Sequence, residues 1–187
     1  MNSAIKMNTV RIIGGEWRRR NLAFPDSEGL RPTPDRVRET LFNWLGQDLT
    51  GLSCLDLFAG SGALGFEAAS RGAAKVVMVE HSPKVYAALD ANARVLGAAD
   101  RLQIVRADAV KFASSLRASG SRFDVLFLDP PYKQGWIERL TPVLPELLVE
   151  DGAIYIEAEH ALDSCGDWKT VRNGRAGQVF YHLMRKG

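Results

Sequence analysis

The strongest constraint on the fold is the alternation of short apolar segments with amphipathic segments that begins near Leu52. Short apolar runs bounded by loop residues are typical of buried parallel strands. Their alternation with helical segments predicts a doubly wound sheet with right-handed crossovers. The predicted strands are Cys54–Phe58, Val76–Val79, Leu102–Val105, Val125–Leu128 and Ala153–Ile156, and the predicted helices are Leu64–Ser70, Lys84–Leu96, Val110–Leu116 and Ile137–Leu148.

The last part of the chain has a different pattern. Trp168–Val171 and Val179–Met184 have the composition of strands, and Asn173-Gly174 between them favours a tight turn. This pattern predicts an antiparallel C-terminal hairpin that closes an otherwise parallel sheet. We therefore predict an α/β fold class, with a single Rossmann-like doubly wound domain over residues 51–187.

Residues 1–50 precede this pattern and are too few for a separate domain. Val10–Ile13 and Glu16–Leu22, on either side of Gly14-Gly15, predict a small hairpin or an extended arm. The prolines and glycine of Phe24–Pro34 predict a loop. The helix predicted next is capped by Thr33 or Asp35, carries Val37, Leu41, Phe42 and Leu45, and stops at Gly46 or Gly51. We treat this arm and helix as an N-terminal extension.

The composition is that of an ordinary globular protein, with 187 residues, 46% apolar and 25% charged. The sequence holds no apolar stretch of 18 residues, which predicts no membrane span, and Met1–Thr9 lacks the apolar region of a secretory signal. Cys54 and Cys165 lie far apart, without a CxxC motif or a nearby pair of histidines. We expect reduced thiols in a cytoplasmic protein, and neither a disulfide nor a metal site.

The positive charge is concentrated near the N-terminus. Residues 1–40 contain eight Lys and Arg against five Asp and Glu, whereas the remaining residues contain sixteen against seventeen. Trp17 is followed by Arg18, Arg19 and Arg20, with Arg11 nearby. A basic run beside an aromatic residue suits phosphate neutralisation and base stacking. We therefore assign these five residues to nucleic-acid binding, with a solvated charged hairpin as the alternative.

A glycine-rich loop follows the first predicted strand, in the segment from Leu55 to Gly65. Gly60, Gly62 and Gly65 satisfy the pattern GxGxxG, and glycines there permit a sharp turn and close approach of a ligand to the backbone. Glu80 ends the next predicted strand, where a carboxylate suits the hydroxyl groups of a ribose. This motif is compatible with a nicotinamide dinucleotide and with S-adenosylmethionine.

Three features favour S-adenosylmethionine. Asp56 lies just before the glycine loop, where a carboxylate suits a cationic ligand better than a pyrophosphate. Asp108 follows the third predicted strand and is placed to accept from an adenine amino group, although it also suits the N-cap of the next helix. The chain leaves no residues for a substrate domain. The predicted cofactor contacts are Asp56, Phe58, Gly60, Ser61, Gly62, Glu80, His81, Asp108, Ala109, Thr33 and Arg36.

The fourth predicted strand runs directly into Asp129-Pro130-Pro131-Tyr132. Ligands of open α/β sheets bind at the carboxyl ends of the strands, so this segment should lie on the same rim as the glycine loop. An exocyclic base amine is a poor nucleophile, and two acceptors aimed at its hydrogens favour attack on a methyl donor. Asp129 and the carbonyl of Pro130 supply such acceptors, and the two prolines hold that carbonyl rigidly.

Tyr132 offers a flat face on which a base can stack, and such stacking contributes about 1–3 kcal/mol per base. The four residues Asp129, Pro130, Pro131 and Tyr132 are therefore our candidate catalytic residues. They predict methylation of an amino nitrogen, without distinguishing adenine, cytosine and guanine, or DNA and RNA. A target base would have to leave its stack or loop to reach them.

Four segments resemble the bacterial D-type methyltransferases that modify guanine N2 in the 16S ribosomal RNA of the small subunit. They are Arg11-Ile12-Ile13-Gly14-Gly15-Glu16-Trp17-Arg18, Arg31-Pro32-Thr33-Pro34-Asp35-Arg36-Val37-Arg38-Glu39-Thr40-Leu41-Phe42, Leu55-Asp56-Leu57-Phe58-Ala59-Gly60-Ser61-Gly62 and Asp129-Pro130-Pro131-Tyr132. The resemblance implies a methyltransferase sheet and methylation of a guanine N2 in a small-subunit rRNA loop, on an assembled or assembling subunit. It also implies an RNA contact by the arm around Trp17, and a lid formed by residues 31–40.

Within that lid, Arg36 or Arg38 is a candidate for the cofactor carboxylate, whereas Arg38 and Glu39 also suit the solvated face of a helix. The first alternative function is methylation of adenine N6 or cytosine N4 in DNA or another RNA. DNA enzymes of this kind usually need an added recognition domain, so we favour RNA. A binding module without catalysis would not need Asp129 and Tyr132. By default we expect a monomer.

Overall fold

The computed structural model of the protein describes residues 6–187. The strands are β1 (Met7–Arg11), β2 (Asn21–Pro25), β3 (Ser53–Asp56), β4 (Lys75–Glu80), β5 (Leu102–Arg106), β6 (Phe123–Leu128), β7 (Leu148–Ala158), β8 (Ser164–Cys165), β9 (Trp168–Ala176) and β10 (Val179–Lys186). The α-helices are α1 (Asp35–Leu45), α2 (Ala63–Ser70), α3 (Pro83–Leu96), α4 (Ala109–Ala118) and α5 (Trp136–Leu140), and a 3₁₀ helix spans Leu144–Leu147. Residues 1–5, which the prediction about a secretory signal also concerns, lie outside the described residues.

Eight strands form the central sheet in the order β5-β4-β3-β6-β7-β10-β9-β8. The first five of these are parallel, and β10, β9 and β8 join them in antiparallel orientation. The chain runs outward from β3 to β4 and β5, and then continues at β6 on the other side of β3. The predicted fold class is confirmed, and the switch in strand order lies between β3 and β6, where open α/β sheets bind ligands.

Side chains alternate between the two faces of the sheet, and each face is covered by helices. Phe127 and Tyr155 pack on the face that α1, α2 and α3 cover. Leu128 and Ile156, the neighbours of these two residues, pack on the face that α4 and α5 cover. This alternation fixes which side chains at the strand ends lie on the same side of the sheet.

The C-terminal hairpin is present, but its turn lies away from the predicted position. Ala176 pairs with Val179, so the tight turn is formed by Gly177 and Gln178. Gly174 lies inside β9 opposite Tyr181, and a Cβ atom at Gly174 would lie 2.4 Å from the Tyr181 ring. Asn173-Gly174 therefore serves the packing of an aromatic ring against the backbone, and the prediction of a turn there was wrong.

The predicted helix Ile137–Leu148 was also wrong in extent. Only Trp136–Leu140 is α-helical, a 3₁₀ helix covers Leu144–Leu147, and β7 begins at Leu148. Pro142 and Pro145 fall inside the predicted helix. A proline in a helix interior removes a hydrogen bond and clashes with the preceding turn, which explains why the helix ends early.

The N-terminal strands form an antiparallel pair, and turns connect them. Strand β2 reaches Pro25, so the loop begins at Asp26 instead of at Phe24. Helix α1 ends at Gly46, as predicted, but Pro34 occupies its N-cap position without a side-chain cap. The cap predicted at Thr33 or Asp35 was therefore wrong.

The N-terminal arm shares its core with the sheet. Val10, Ile12 and Trp17 belong to the same apolar cluster as Phe42 on α1 and Phe127 on β6. The boundary between residues 50 and 51 stays a prediction. Cys54 and Cys165 are both buried and free. Among residues 6–187, no helix has both the length and the apolar character that a membrane crossing requires.

Candidate active site

The candidate site lies at the carboxyl ends of β3, β6 and β7. The glycine loop follows β3, Asp129 follows β6 and Glu157 lies near the end of β7. Because these strands are adjacent and parallel, their ends meet at one rim of the sheet. The fold therefore brings the glycine loop and the Asp-Pro-Pro-Tyr segment together, as the sequence predicts.

The glycine loop adopts a conformation that only glycine accepts readily. Gly62 has a φ of 81°, and a Cβ atom there would lie 2.4 Å from the Phe66 ring. A Cβ atom at Gly65 would lie 2.4 Å from the sulfur of Met78, so this glycine lets α2 pack closely on β4. Gly62 thus serves the turn, and Gly65 serves the packing of helix on sheet.

The Glu80 carboxylate closes this loop from the end of β4. It accepts a hydrogen bond from the Gly60 amide at 3.1 Å and another from the Ser82 amide at 2.8 Å. Ser61 is buried and accepts from the Ala63 amide at 3.3 Å. Glu80 therefore positions the loop backbone, and a ribose contact by Glu80 stays a prediction.

Asp56 lies directly before the loop and is 1% exposed. It accepts a hydrogen bond from the Phe58 amide at 3.3 Å. The pKa of Asp56 is raised to about 7, chiefly by burial, with the Glu80 charge adding to the rise and the hydrogen bond from the Phe58 amide opposing it. Among the other predicted cofactor contacts, Asp108 caps α4 by accepting from the Lys111 amide at 3.0 Å.

The remaining predicted cofactor contacts differ in burial. Ala109 is buried, Phe58 is half-buried, and both His81 and Arg36 are exposed. Thr33 is buried, and its hydroxyl group donates to Oε1 of Glu157 at 2.7 Å. The segment before α1 therefore lies against the end of β7, beside the candidate catalytic residues.

Glu157 is a site residue that the sequence did not predict. It is 5% exposed and accepts at Oε1 from the Tyr155 hydroxyl group at 2.8 Å, in addition to Thr33. Leu128 pairs with Ile156 in the parallel ladder, so the next residues along the two strands, Asp129 and Glu157, are neighbours. A polar residue at the end of an apolar strand was the signal that could have identified Glu157.

The two carboxyl groups affect each other strongly. Asp129 is half-buried, and burial raises its pKa well above the ordinary value, with the charges of Glu157 and Asp56 adding to the effect. Burial also raises the pKa of Glu157, while hydrogen bonds from Thr33 and Tyr155 oppose the rise. Neighbouring buried carboxyl groups favour a state in which one proton is held between them.

Pro130, Pro131 and Tyr132 border a cavity of about 210 Å³, which Trp136 and Glu157 also line. Tyr132 is 39% exposed, and burial raises its pKa to about 12, so its ring is neutral at physiological pH. Trp136 packs edge-on against Phe58 of the glycine-loop segment, with the ring centroids 5.2 Å apart. The cavity is therefore lined by two aromatic side chains, Tyr132 and Trp136, and Trp136 is a second residue that the sequence did not predict.

The basic arm is only partly as predicted. Arg18, Arg19 and Arg20 are exposed in the turn region between β1 and β2, and Arg19 has a φ of 71°. Arg11 pairs with Asp35 at 3.2 Å. The exposed arginines are compatible with the predicted phosphate contacts.

Trp17 does not have the surface position that base stacking requires. It is 4% exposed, and the Arg101 guanidinium lies over its ring, 4.7 Å from the centroid. Its amide donates to the Ser70 hydroxyl group at 2.9 Å. The assignment of Trp17 to base stacking was therefore wrong, because the indole forms part of the core.

Arg38 likewise is not on a solvated helix face. It is fully buried and donates to the Thr33 carbonyl at 3.1 Å, the Arg11 carbonyl at 2.8 Å and the Glu67 carboxylate at 3.1 Å. Since these acceptors already engage its guanidinium, Arg38 is not available for a cofactor carboxylate. The surrounding fold, with Glu67 on α2, determines this burial.

Comparison with known proteins identifies the family. The family described as Conserved hypothetical protein 95 matches residues 10–185. The Ribosomal RNA small subunit methyltransferase D of Escherichia coli K12 is 42% identical over 182 residues, which cover 95% of this chain and 90% of that protein. The protein of the same name from Haemophilus influenzae is 40% identical over 181 residues, covering 94% of this chain and 93% of its own.

The chain belongs to the small-subunit methyltransferase D family. The resemblance noted in the sequence is thus confirmed. A solved structure, that of the putative methyltransferase yhhF from Escherichia coli, has 40% sequence identity to this protein and a TM-score of 0.84. The match covers 96% of this chain and 98% of the yhhF chain. A solved methyltransferase from Agrobacterium tumefaciens, at 17% identity and a TM-score of 0.71, shows the same fold.

Proposed function

We propose that this protein transfers a methyl group from S-adenosylmethionine to the exocyclic N2 of a guanine in 16S ribosomal RNA. The observation that carries the proposal is the position of Asp129 and Pro130, at the end of β6 and on the same rim as the glycine loop. Similarity to relatives named Ribosomal RNA small subunit methyltransferase D supports the class of substrate. The choice of guanine N2 rests on the family resemblance alone.

The residues at the rim fit S-adenosylmethionine. Asp56 lies directly before the glycine loop, where a carboxyl group suits a ligand with an ammonium and a sulfonium better than a pyrophosphate. Glu80 and Asp108, at the ends of neighbouring strands, are the candidates for the ribose and the adenine. When bound, this cofactor supplies a methyl group on a sulfonium, which is a good leaving group.

The protein's own contribution is to position the amine. Asp129 and the Pro130 carbonyl accept hydrogen bonds from the amino group, which draws its nitrogen towards a tetrahedral geometry. The prolines fix the backbone at this point, so the acceptors do not reorganise during the reaction. Tyr132 offers its ring to the base beside them, and Trp136 lines the same cavity. Holding the reacting groups in the right orientation lowers the activation free energy of a reaction by several kcal/mol. The largest such effects are about 7–11 kcal/mol.

We infer that the substrate is RNA because the relatives are named for ribosomal RNA and three exposed arginines, Arg18, Arg19 and Arg20, are concentrated in one turn. An rRNA loop can be selected by its shape and its unstacked base. An assembled or assembling small subunit as substrate, a monomeric enzyme and a cytoplasmic location stay predictions.

Methylation of defined substrates tests the proposal. Labelled S-adenosylmethionine is offered with small ribosomal subunits, bare 16S rRNA and duplex DNA, and the methylated nucleoside is identified by mass spectrometry. We expect N2-methylguanosine from the rRNA or the subunit. Methyladenine or methylcytosine as the product, or methylation of the DNA alone, would contradict the proposed substrate.

The D129N and D129A variants test the assignment of Asp129. Both should lower methyl transfer by at least about a hundredfold while leaving S-adenosylmethionine affinity within about tenfold, because Asp129 is assigned to the base. The matched control is D151N, an exposed aspartate on β7, which should retain full activity. Circular dichroism checks folding, and turnover retained by folded D129A would remove Asp129 from the mechanism.

A further inference from the structure

Glu157 is a buried acid without a basic partner. Glu157 lies in β7 between Ile156 and Ala158, and the residue is 5% exposed. Among residues 6–187, no salt bridge reaches Glu157 or Asp129. Burying an unpaired carboxylate is costly, so its position calls for a different compensation.

The sheet register brings Glu157 next to Asp129. Phe127 pairs with Tyr155 and Leu128 with Ile156, so Asp129 and Glu157 follow as the next neighbours on adjacent strands, which lie about 4.8 Å apart. Residues two apart in a strand share a face, and the Phe127 and Tyr155 rings are in contact, with centroids 6.5 Å apart. The two carboxyl groups therefore project from the same face of the sheet.

The hydrogen bonds around Glu157 leave one of its oxygen atoms for Asp129. Thr33 and Tyr155 both donate to Oε1, at 2.7 Å and 2.8 Å. An oxygen that accepts two hydroxyl groups is not the protonated oxygen of a carboxylic acid. Oε2 receives neither of these hydroxyl groups. Two adjacent carboxyl groups bind each other only when one proton lies between them.

We propose that Glu157 is a positioning residue for Asp129, holding the Asp129 carboxyl group through one shared proton so that its other oxygen faces the target amine. This proposal rests on the proposed function and adds a role for a residue outside the Asp-Pro-Pro-Tyr segment. Thr33, at the start of the segment before α1, fixes Glu157 in turn. The lid segment is thereby connected to the catalytic carboxyl group.

The carboxyl pair also takes up the proton that the amine loses during the reaction. As the new N–C bond forms from the nitrogen lone pair, the methyl–sulfur bond breaks and its electron pair stays on sulfur. The nitrogen then loses one N–H proton to the free oxygen of Asp129. The proton already held by Asp129 passes to Glu157, so the pair gains one proton and becomes neutral. Water removes the extra proton after the product leaves.

The groups around the pair support a shared proton. Asp56 on β3 is an acidic neighbour of the pair, Tyr132 after β6 is a neutral one, and Tyr181 on β10 is the strand partner of Glu157. Lys133 and His160 line the same cavity as Glu157 without a salt bridge to it, and Arg38 binds the Thr33 carbonyl and the Glu67 carboxylate instead. Burial raises the pKa of Asp129 well above its ordinary value, and the Glu157 charge adds to the rise.

The E157Q variant tests the proposal, with E150Q as the matched control. Glu150 lies on the same strand at its opposite end and is exposed. Glutamine keeps the size of the side chain but cannot share the proton. We expect E157Q to lower kcat about tenfold to a hundredfold, with KM for RNA within about threefold, and to lose the alkaline limb of the pH–rate profile that release of the shared proton produces. E150Q should behave as the wild type.

A titration of the free protein separates this proposal from the proposed function. In protein carrying ¹³C-labelled aspartate carboxyl groups, with D129N to assign the signal, Asp129 should titrate at least about one pH unit lower in E157Q than in the wild type. An unchanged titration, or an unchanged pH–rate profile in an active E157Q, would overturn the role of Glu157. The titration needs no methyl transfer, so it decides the matter even if the substrate is different.

If E157Q does not fold, Y155F provides a milder change. It removes one donor to Glu157 and keeps both carboxyl groups. Because the Glu157 carboxylate is then less stabilised, the shared proton should move towards Glu157. The Asp129 carboxyl signal should shift towards its ionised position at the same pH, and an unshifted signal would overturn the proposal.

Discussion

Asp56 shows how a single buried side chain connects the candidate site to the stability of the protein. It lies at the end of β3, is 1% exposed, and accepts its hydrogen bond from the Phe58 amide. Burial raises its pKa from 3.8 to about 7. Over the pH range between these values, the folded protein binds a proton that the unfolded chain has released.

We expect Asp56 to reduce stability as the pH rises from 4 to 8. Its contribution is fully present below the unfolded pKa of 3.8 and is lost as the pH passes through the folded value of about 7. The D56N variant cannot ionise, so its free energy of unfolding should rise relative to the wild type by up to about 4 kcal/mol over this range. Urea unfolding without cofactor, at several pH values, measures this difference; a constant difference would contradict it.

At the scale of single elements, the turn between β1 and β2 combines a core residue with a basic surface. Trp17 faces inward and packs under Arg101, whereas Arg18, Arg19 and Arg20 remain exposed. The backbone of the turn is hydrogen-bonded to the end of α2, where the Glu16 amide donates to the Ser70 carbonyl at 2.7 Å. A fixed turn that carries three exposed cations suits contact with an RNA backbone.

The triple variant R18A/R19A/R20A tests the role of this turn. It should bind rRNA more weakly, and the slope of log K against log salt concentration should fall by about two, because each phosphate contact releases counterions. The control R94A/R117A/R172A removes three exposed arginines from other elements. An equal change of slope in the control would assign the effect to net charge instead of to the turn.

At the scale of the whole molecule, Glu67 joins the arm to two helices. Its carboxylate accepts from the Ile13 amide at 3.0 Å and the Gly14 amide at 2.7 Å. It also pairs with Arg38 of α1 at 3.1 Å and with Arg71 after α2 at 3.0 Å. These contacts and the shared apolar cluster mean that the arm and the sheet stabilise each other.

The E67Q variant should therefore destabilise the protein as one unit. Removing one member of a buried ion network leaves the remaining charges uncompensated and costs about 3–5 kcal/mol. Thermal unfolding followed by circular dichroism should show one transition at a lower temperature. The exposed pair of Arg117 and Glu146 gives the control, since E146Q should change stability by less than about 1 kcal/mol. Two separate transitions in E67Q would mean that the arm unfolds independently.

Local patterns that depend on neighbours in the chain could be predicted from the sequence. The strands of the parallel sheet, the glycine loop and the position of Asp129 at a strand end follow from apolar periodicity and from turn chemistry. Patterns that depend on distant residues could not. The sequence around Gly174 favours a turn, but in the structure this glycine lies in a strand against the Tyr181 ring. Glu157 lies at the candidate site because β6 pairs with β7.

By itself, the sequence determined the α/β class, the family and the segment Asp129 to Tyr132, because apolar spacing and short motifs are properties of the local chain. Only the tertiary structure decided that Trp17 and Arg38 are buried and that Glu157 lies beside Asp129. Burial depends on which surfaces meet after folding. The ionisation of a carboxyl group depends on burial and on charges brought close in space, so neither can be inferred from spacing along the chain.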